Sequence, residues 1–283
     1  MNCGVNVDSL PIHTYPYPLW VGSYKGEMMK KVITYAAAMV AALSFGHMAA
    51  AQEAAAPAAA PVFEVKNWYF RESIDVNALK DNGGTFVGLN QTLGFDIMKD
   101  VTVDFNVPVY AQNGYTSVAN LMLGANWAAF KGNNSVLGDW MLNFGGGFYI
   151  PVGTEYFRNA NVNPFVNTKF GFDLWKFDFA QTVDYRFNGG ESYITWLGAK
   201  TDSDVLTLVS DLSYAWNAWN FGLQFDQLYY VNSGEYQLFL GPVASWEVAS
   251  NVSFDAAILI PVAQQVTSAE SNAFVKAGIE VKF

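Results

Sequence analysis

The chain has 283 residues, of which 52% are hydrophobic, 16% are aromatic and only 14% are charged, and its formal net charge is −10. Because about a quarter of the residues of a soluble domain are usually charged, this composition is apolar for a soluble protein. The acidic balance argues against nucleic acid as a partner, since phosphate backbones are bound by clustered lysine and arginine.

Residues 1–28 do not fit ahead of the segment that follows them. We interpret these residues as an upstream leader that was included in the reading frame. Lys25, Gly26 and Glu27 stand just before two methionines. Codons for these three residues can contain a purine-rich ribosome-binding sequence, so the underlying nucleotides test the interpretation.

Residues 29–51 have the three parts of a Sec-type signal peptide. Lys30 and Lys31 form a positive start, residues 32–45 form a short apolar stretch, and residues 49–51 form an A-x-A cleavage site. The sequence therefore predicts export. Residues 52–61 that follow form an Ala/Pro linker, which we expect to be extended or flexible.

Cleavage at this site removes Cys3, His13 and His47, which are the only cysteine and the only two histidines of the chain. The exported protein would then hold itself together without disulfides. It would also lack the side chain that most often titrates near neutral pH.

From Val62 onward the sequence predicts a single all-β domain over 62–283. No helical periodicity exceeds two turns, and no apolar run approaches the roughly 20 residues of a membrane-spanning helix. Apolar and polar residues instead alternate with a period of two, as in Val101, Val103 and Phe105 against Thr102. The candidate strands are 62–71, 84–98, 101–112, 117–130, 139–152, 163–175, 177–187, 205–216, 219–231, 236–248, 251–263 and 272–283.

Tight turns and longer connections alternate along this domain. The tight turns are 99–100, 175–176, 217–218 and 249–250, and the longer loops are 72–83, 111–117, 153–162, 188–204, 232–235 and 264–271. Counting 192–199 as a further strand would move the tight turns to the opposite rim halfway along the chain. We therefore assign 192–199 to a loop and predict about twelve strands, with both ends of the domain on the rim of the tight turns.

Four tryptophans lie beside the predicted tight turns. The indole ring favours a membrane interface, with its apolar body in lipid and its N–H toward water. We therefore predict an aromatic girdle at this rim, formed by Trp175, Trp216, Trp219 and Trp246.

The signal peptide, the alternating strands and the terminal strand that closes on Phe283 together resemble a Gram-negative outer-membrane β-barrel of the porin-like or transporter type, over 62–283. The resemblance implies an antiparallel up-and-down transmembrane barrel in the outer membrane, with turns in the periplasm and loops outside. It also implies two partners, the outer-membrane lipid and the barrel-assembly machinery. The last strand resembles the signal that this machinery reads, carried here by Val275, Ala277, Ile279, Val281 and Phe283.

Enzymatic activity is not expected. Barrel enzymes of this membrane resemble one another in relying on histidine as a base, and the exported chain has none. Zinc and copper sites lose their usual ligands for the same reason, so we expect neither a metal nor a cofactor.

Alternation also predicts which charged side chains line the interior. Acids exceed bases among them, and carboxylate rings favour cations. The candidate pore-lining residues are Asp96, Asp104, Lys169, Asp173, Asp178, Asp184, Arg186, Asp211, Asp226, Asp255 and Glu280.

These features predict a passive porin-like channel for small cationic or neutral solutes. An alternative is a non-conducting barrel that has a structural or surface-recognition role through loops such as 153–162 and 188–204. A third possibility is an exported soluble barrel that binds an apolar ligand inside.

Overall fold

The computed structural model describes residues 67–80, 84–134, 136–194, 199–266 and 270–283. The predicted leader, signal peptide and linker, and positions 62–66 of the first predicted strand, lie outside these described residues. Within them, no helix is long and apolar enough to cross a bilayer.

Strands make up almost the whole described domain. They are β1 (Trp68–Leu79), β2 (Thr85–Met98), β3 (Val101–Gln112), β4 (Tyr115–Val118), β5 (Leu121–Asn134), β6 (Gly138–Ile150), β7 (Asn163–Leu174), β8 (Phe177–Arg186), β9 (Ser192–Ile194), β10 (Ala199–Thr201), β11 (Val205–Trp216), β12 (Trp219–Tyr230), β13 (Glu235–Ala249), β14 (Val252–Gln265) and β15 (Ser271–Lys282).

Twelve of these strands close into an antiparallel barrel. Each long strand pairs with its neighbour in the chain, and β1 closes the ring by pairing with β15. The predicted all-β antiparallel barrel and its strand number are confirmed. Closure matters physically because it leaves no unpaired sheet edge.

The three short strands lie outside the ring of twelve. β4 folds back on β3 through the Asn113-Gly114 turn, in which both residues have positive φ, as a type I′ hairpin requires. β9 and β10 form a separate two-stranded sheet. The described residues of segment 192–199 therefore lie outside the ring, and the segment is not a thirteenth strand of the barrel, as the alternation of turns predicts.

The first strand is placed differently from the prediction. Within the described residues, 68–71 is a strand as predicted, but the predicted loop is wrong over 72–79, since β1 runs from Trp68 to Leu79 and pairs along its length with both neighbours. The segment looks like a loop in the sequence because polar residues follow one another at Arg71, Glu72 and Ser73. Hydrogen bonding to both neighbouring strands stabilises this segment as a strand, although its side chains do not alternate regularly.

The two rims of the barrel have different connections. At the turn rim, which holds the tight turns and both described chain ends, Asp100, Trp175 and Asn217 have φ of 63°, 61° and 55°. These left-handed positions fit the two-residue hairpins found there. At the loop rim, the connection 231–234 is also a short turn, so the rims differ less than the sequence predicts.

The outer surface of the barrel is an apolar belt. Large apolar side chains remain exposed on the outward side of the strands, among them Leu93, Phe105, Leu123, Phe148, Leu212, Leu223, Ile258 and Ile260. An apolar surface that surrounds a closed barrel is suited to acyl chains rather than water.

The interior divides into two parts. Toward the loop rim, which we call the loop half, inward side chains pack into two buried clusters. One cluster contains Val205, Leu228, Tyr230, Phe239, Ala257, Leu259 and Phe274, and the other contains Phe86, Tyr110, Ala119 and Phe157. Toward the turn rim, which we call the turn half, most inward side chains keep some contact with solvent.

Candidate functional site in the lumen

Hydrogen bonds that skip intervening strands identify the inward face. Lys276 on β15 reaches Asp226 on β12 at 3.2 Å, although β13 and β14 lie between them. Tyr69 on β1 likewise donates to Asp104 on β3 at 2.5 Å, across β2. Such contacts pass through the interior, and strand alternation then places every candidate pore-lining residue on this inward face. Their role in permeation stays a prediction.

A cavity of about 590 Å³ occupies the turn half. Four carboxylates and two ammonium groups line it, from Asp139, Asp173, Asp178, Asp211, Lys131 and Lys169. The strand register sets three of the carboxylates side by side, because Asp173 on β7 is opposite Asp139 on one side and Asp178 on the other. We call this acidic cavity the vestibule.

The carboxylates of the vestibule are poorly neutralised. Among the described residues, no cationic side chain forms an ion pair with Asp173, Asp178 or Asp211. Within the same residues, no three acids, histidines or cysteines are arranged to hold a metal ion. The lining of the vestibule therefore carries more acidic than basic side chains.

Other predicted pore-lining acids have partners that fix them to the wall. Asp96 accepts hydrogen bonds from Asn67 and Thr102, at 3.1 and 2.8 Å. Asp255 faces the Arg71 guanidinium at 3.3 Å. In the same way, Asn126 donates to Asp104 at 2.8 Å and Lys282 pairs with Glu280 at 3.4 Å.

In the loop half, Asp226 and Arg186 are buried and Asp184 is partly buried. The Asp226 carboxylate is inaccessible to solvent and is held by Lys276 and by Gln224, whose amide donates at 2.6 Å. The Arg186 guanidinium lies 4.4 Å from the centre of the Tyr149 ring, as in cation–π contacts. Asp184 lies two residues before Arg186, on the same inward side of β8.

The connection 151–162 between β6 and β7 enters the loop half. Phe157 is fully buried in the cluster that includes Tyr110 of β3. Two residues further on, Asn159 accepts a hydrogen bond from Arg186 of β8 at 2.7 Å and exchanges hydrogen bonds with Asn120 at 2.7 and 2.9 Å. This inward loop therefore contacts the wall on well-separated strands and covers part of the lumen.

Aromatic rings collect at the turn rim. The four predicted girdle tryptophans are exposed, with Trp175 at 93% and Trp216 at 56%. Trp219 stacks on Trp246 with ring centroids 5.2 Å apart. Phe283 stacks on Trp68 at 4.1 Å, directly after β15, whose outward side carries Val275, Ala277, Ile279 and Val281.

Comparison with solved structures finds several similar chains. An outer membrane channel from Pseudomonas putida F1 is similar with a TM-score of 0.58 and 10% identity, over 81% of this chain and 100% of that one. The translocator domain of an autotransporter from Neisseria meningitidis is similar at 0.43 and 13%, over 88% and 97%. A refined porin structure is similar at 0.36 and 8%, over 78% and 100%. No protein family profile and no curated protein sequence matches the chain.

The chain is an outer-membrane β-barrel. A closed ring of strands with an apolar outer belt is typical of outer-membrane proteins, and the first of these neighbours shares the fold over most of its length. The role of the rim tryptophans as a membrane girdle stays a prediction. At such low identity the likeness concerns the fold only.

Sequence reasoning missed three features of the lumen in this outer-membrane barrel. Asp139 belongs to the vestibule, and simple alternation along β6 could have found it. Lys131 turns inward only because a bulge between Ala128 and Phe130 shifts the register, which the sequence does not signal. The inward course of loop 151–162 was also missed, since its polar residues resemble those of an external loop.

Proposed function

We propose that this outer-membrane barrel is a passive channel for small cationic or neutral solutes. The observation that supports the proposal best is the vestibule, a cavity of about 590 Å³ in which acids outnumber bases. Within the part of the chain that the structure describes, Asp173, Asp178 and Asp211 form no ion pair. The structural neighbour from Pseudomonas putida is itself a channel, which is consistent with this role.

The selectivity follows from electrostatics. A recess lined by one sign of charge between low-dielectric walls focuses the field and raises the local concentration of counter-ions. Carboxylates therefore favour cations over anions. Lys169 lies among them and lowers the net charge, so that a cation is attracted without being held.

Size selection belongs to the loop half. The two buried clusters and loop 151–162 take up much of the lumen there, so we expect only small solutes to pass. The proposed channel thus has a vestibule that attracts cations in the turn half and a narrow passage in the loop half.

Planar bilayers test the proposal. The purified barrel should conduct, and in a KCl gradient its reversal potential should have the sign of a cation-preferring pore. The triple variant Asp173→Asn, Asp178→Asn and Asp211→Asn should lose this preference. The control neutralises three exposed loop acids, Glu155, Glu191 and Asp202, and should keep it. A bilayer that stays sealed at every voltage rejects the channel.

A non-conducting barrel with a structural or recognition role is the second candidate. It is favoured by the loop half, where Phe86, Phe239 and Leu259 are completely buried as in a packed core. The same bilayer experiment separates the two candidates, because this role requires no conductance.

We also propose that the barrel-assembly machinery reads the outward side of β15. The support is its unbroken apolar row ending in Phe283, whose backbone N–H also bonds to the Trp68 carbonyl at 2.8 Å. Phe283→Ser should lower the folded fraction in cells, measured by heat-modifiable migration in gels. Trp68→Ala loses the same ring contact but keeps the signal, and should assemble at nearly the normal level.

A further inference from the structure

A carboxylate lies on the lipid-facing side of the barrel. Glu72 of β1 is opposite Ile279 of β15 and Gln91 of β2. On the same outward side, Ile74 and Leu93 are exposed members of the apolar belt. Glu72 and Gln91 are therefore a polar pair that is surrounded by apolar side chains, and we call them the belt pair.

The belt pair lies well inside the belt rather than at its edge. Glu72 is four residues along β1 from Trp68, which is at the turn rim. With a strand rise of about 3.3 Å and a tilt of about 40°, this separation corresponds to roughly 10 Å along the membrane normal. A charged or strongly polar group at this depth is unfavourable in lipid, and such groups usually have a partner.

A second outward polar pair shows what a self-contained arrangement looks like. Gln181 of β8 donates to the backbone carbonyls of Thr182 and Val209 at 3.3 and 3.2 Å, and accepts from the Ser210 hydroxyl at 2.6 Å. Its polar atoms are satisfied within the barrel.

The belt pair is not self-contained. Among the described residues, the Glu72 carboxylate accepts one hydrogen bond, a long one of 3.3 Å from the Gln91 amide. A carboxylate has room for about four such bonds. The amide of Gln91 has a second N–H, so an acceptor with spare capacity lies next to a donor with spare capacity.

We propose that the belt pair is the contact between two copies of this chain in the membrane. A two-fold axis along the membrane normal, which two barrels inserted in the same sense allow, brings Glu72 to the partner subunit's Gln91 and Gln91 to the partner subunit's Glu72. The pair is thus complementary to itself. Both acids then exchange contact with lipid for hydrogen bonds.

The surface beside the belt pair suits close approach of a second barrel. Ile74 is opposite Ala277 of β15, and Ala277 is opposite Ala256 of β14. Both alanines are exposed on the outward side. Small side chains in this row let another apolar wall pack against Ile74 without obstruction.

Cysteine cross-linking in lipid vesicles tests the contact, in a background where Cys3, the only native cysteine, is replaced by serine. Ile74→Cys places a thiol beside the belt pair, and Leu212→Cys places one on the lipid-facing side of β11, on the far side of the barrel. Ile74→Cys should form a disulfide-linked dimer several-fold more than Leu212→Cys. Adding Glu72→Leu should weaken dimerisation about tenfold, measured as the dimer dissociation constant.

The folded state is checked in every variant by heat-modifiable migration in gels. Glu72→Gln keeps an oxygen acceptor and should retain part of the dimer, whereas Gln181→Leu should leave it unchanged. Equal cross-linking at both cysteines would overturn the proposal. A Glu72→Leu barrel that folds and cross-links as before would also overturn it. That result would mean that the Glu72 carboxylate of the wild type makes no contact with a second copy.

Discussion

The loop half and the turn half of the lumen are made from the same alternating strands but are filled in opposite ways. In the loop half, rings and aliphatic chains such as Phe239, Leu228 and Phe274 exclude solvent. In the turn half, four acids and two lysines line an open vestibule. One barrel thus combines a core that stabilises it with a polar recess that can act on solutes.

Ion pairs differ between the halves in the same sense. In the loop half, Lys276 pairs with Asp226, whose side chain is 0% exposed, whereas Arg71 and Asp255 in the turn half are 46% and 38% exposed. An exposed pair contributes little because water screens it. A buried pair contributes mainly by preventing an uncompensated buried charge.

The largest effect on stability is expected from the loop half. Phe239→Ala should lower the free energy of unfolding by about 4 kcal/mol, because it removes a fully buried ring and leaves a cavity. Urea unfolding in lipid vesicles, followed by tryptophan fluorescence, measures the change. The matched variant in the turn half is Met141→Ala, whose side chain faces the vestibule and is 37% exposed, and it should cost less than about 1 kcal/mol. Equal losses would contradict the division into halves.

The next largest effect concerns the buried ion pair. Lys276→Met should destabilise the barrel by about 3 kcal/mol, because it leaves the Asp226 carboxylate buried without a cation. Adding Asp226→Asn should restore most of this loss. Arg71→Met in the exposed pair should cost at most about 1 kcal/mol.

A double-mutant cycle in urea measures both pairs. If the coupling energy of Lys276 and Asp226 were no larger than that of Arg71 and Asp255, solvent would screen charges in the loop half as strongly as in the turn half.

The sequence predicts the ring of strands well because the polarity of the side chains alternates within each strand between a lipid-facing side and an inward side. In β3 the apolar side chains of Val101, Val103 and Phe105 indicate the lipid-facing side. The polar side chains of Thr102 and Asp104 indicate the inward side, and neither inference requires the neighbouring strands. The same logic fails for β1, where Glu72 interrupts the apolar row on the outward side. The wrong prediction of a loop over 72–79 therefore includes Glu72 of the belt pair, where a polar residue stands at an outward position that is usually apolar.

Contacts between side chains across the lumen could not be predicted from the sequence. That Lys276 meets Asp226, or that Asn159 meets Arg186, depends on strand stagger and on the path of loop 151–162. Neither is encoded in the period of a single strand. The inward direction of each acid was therefore predictable, but whether it is paired, buried or facing a cavity was not.

A moderate effect is expected at a crowded glycine in the turn half. The Tyr69 ring crosses over Gly94 to reach Asp104, and a Cβ on Gly94 would lie 2.6 Å from the Asp104 carboxylate and closer still to the ring. Gly94→Ala should cost about 2 kcal/mol through overpacking. Gly171 faces the open vestibule, and a Cβ on it would meet no atom nearer than 3.4 Å, so Gly171→Ala should be neutral or slightly stabilising. Thermal unfolding of the two variants in one detergent compares them.

The smallest effect is expected at the exposed turn 99–100, where the Lys131 ammonium donates to the Asp100 carboxylate at 2.5 Å and lowers the pKa of that carboxyl. A lowered pKa in the folded state gives a stabilisation that is complete above the ordinary pKa, about 4, and is lost as the pH falls through the folded value. Wild type should therefore exceed Lys131→Met slightly in stability at neutral pH, and the gap should close in acid. High salt should also reduce the gap, because the pair is exposed. A gap that widens as the pH falls would contradict the prediction, because protonation of a carboxylate can only remove its attraction to Lys131.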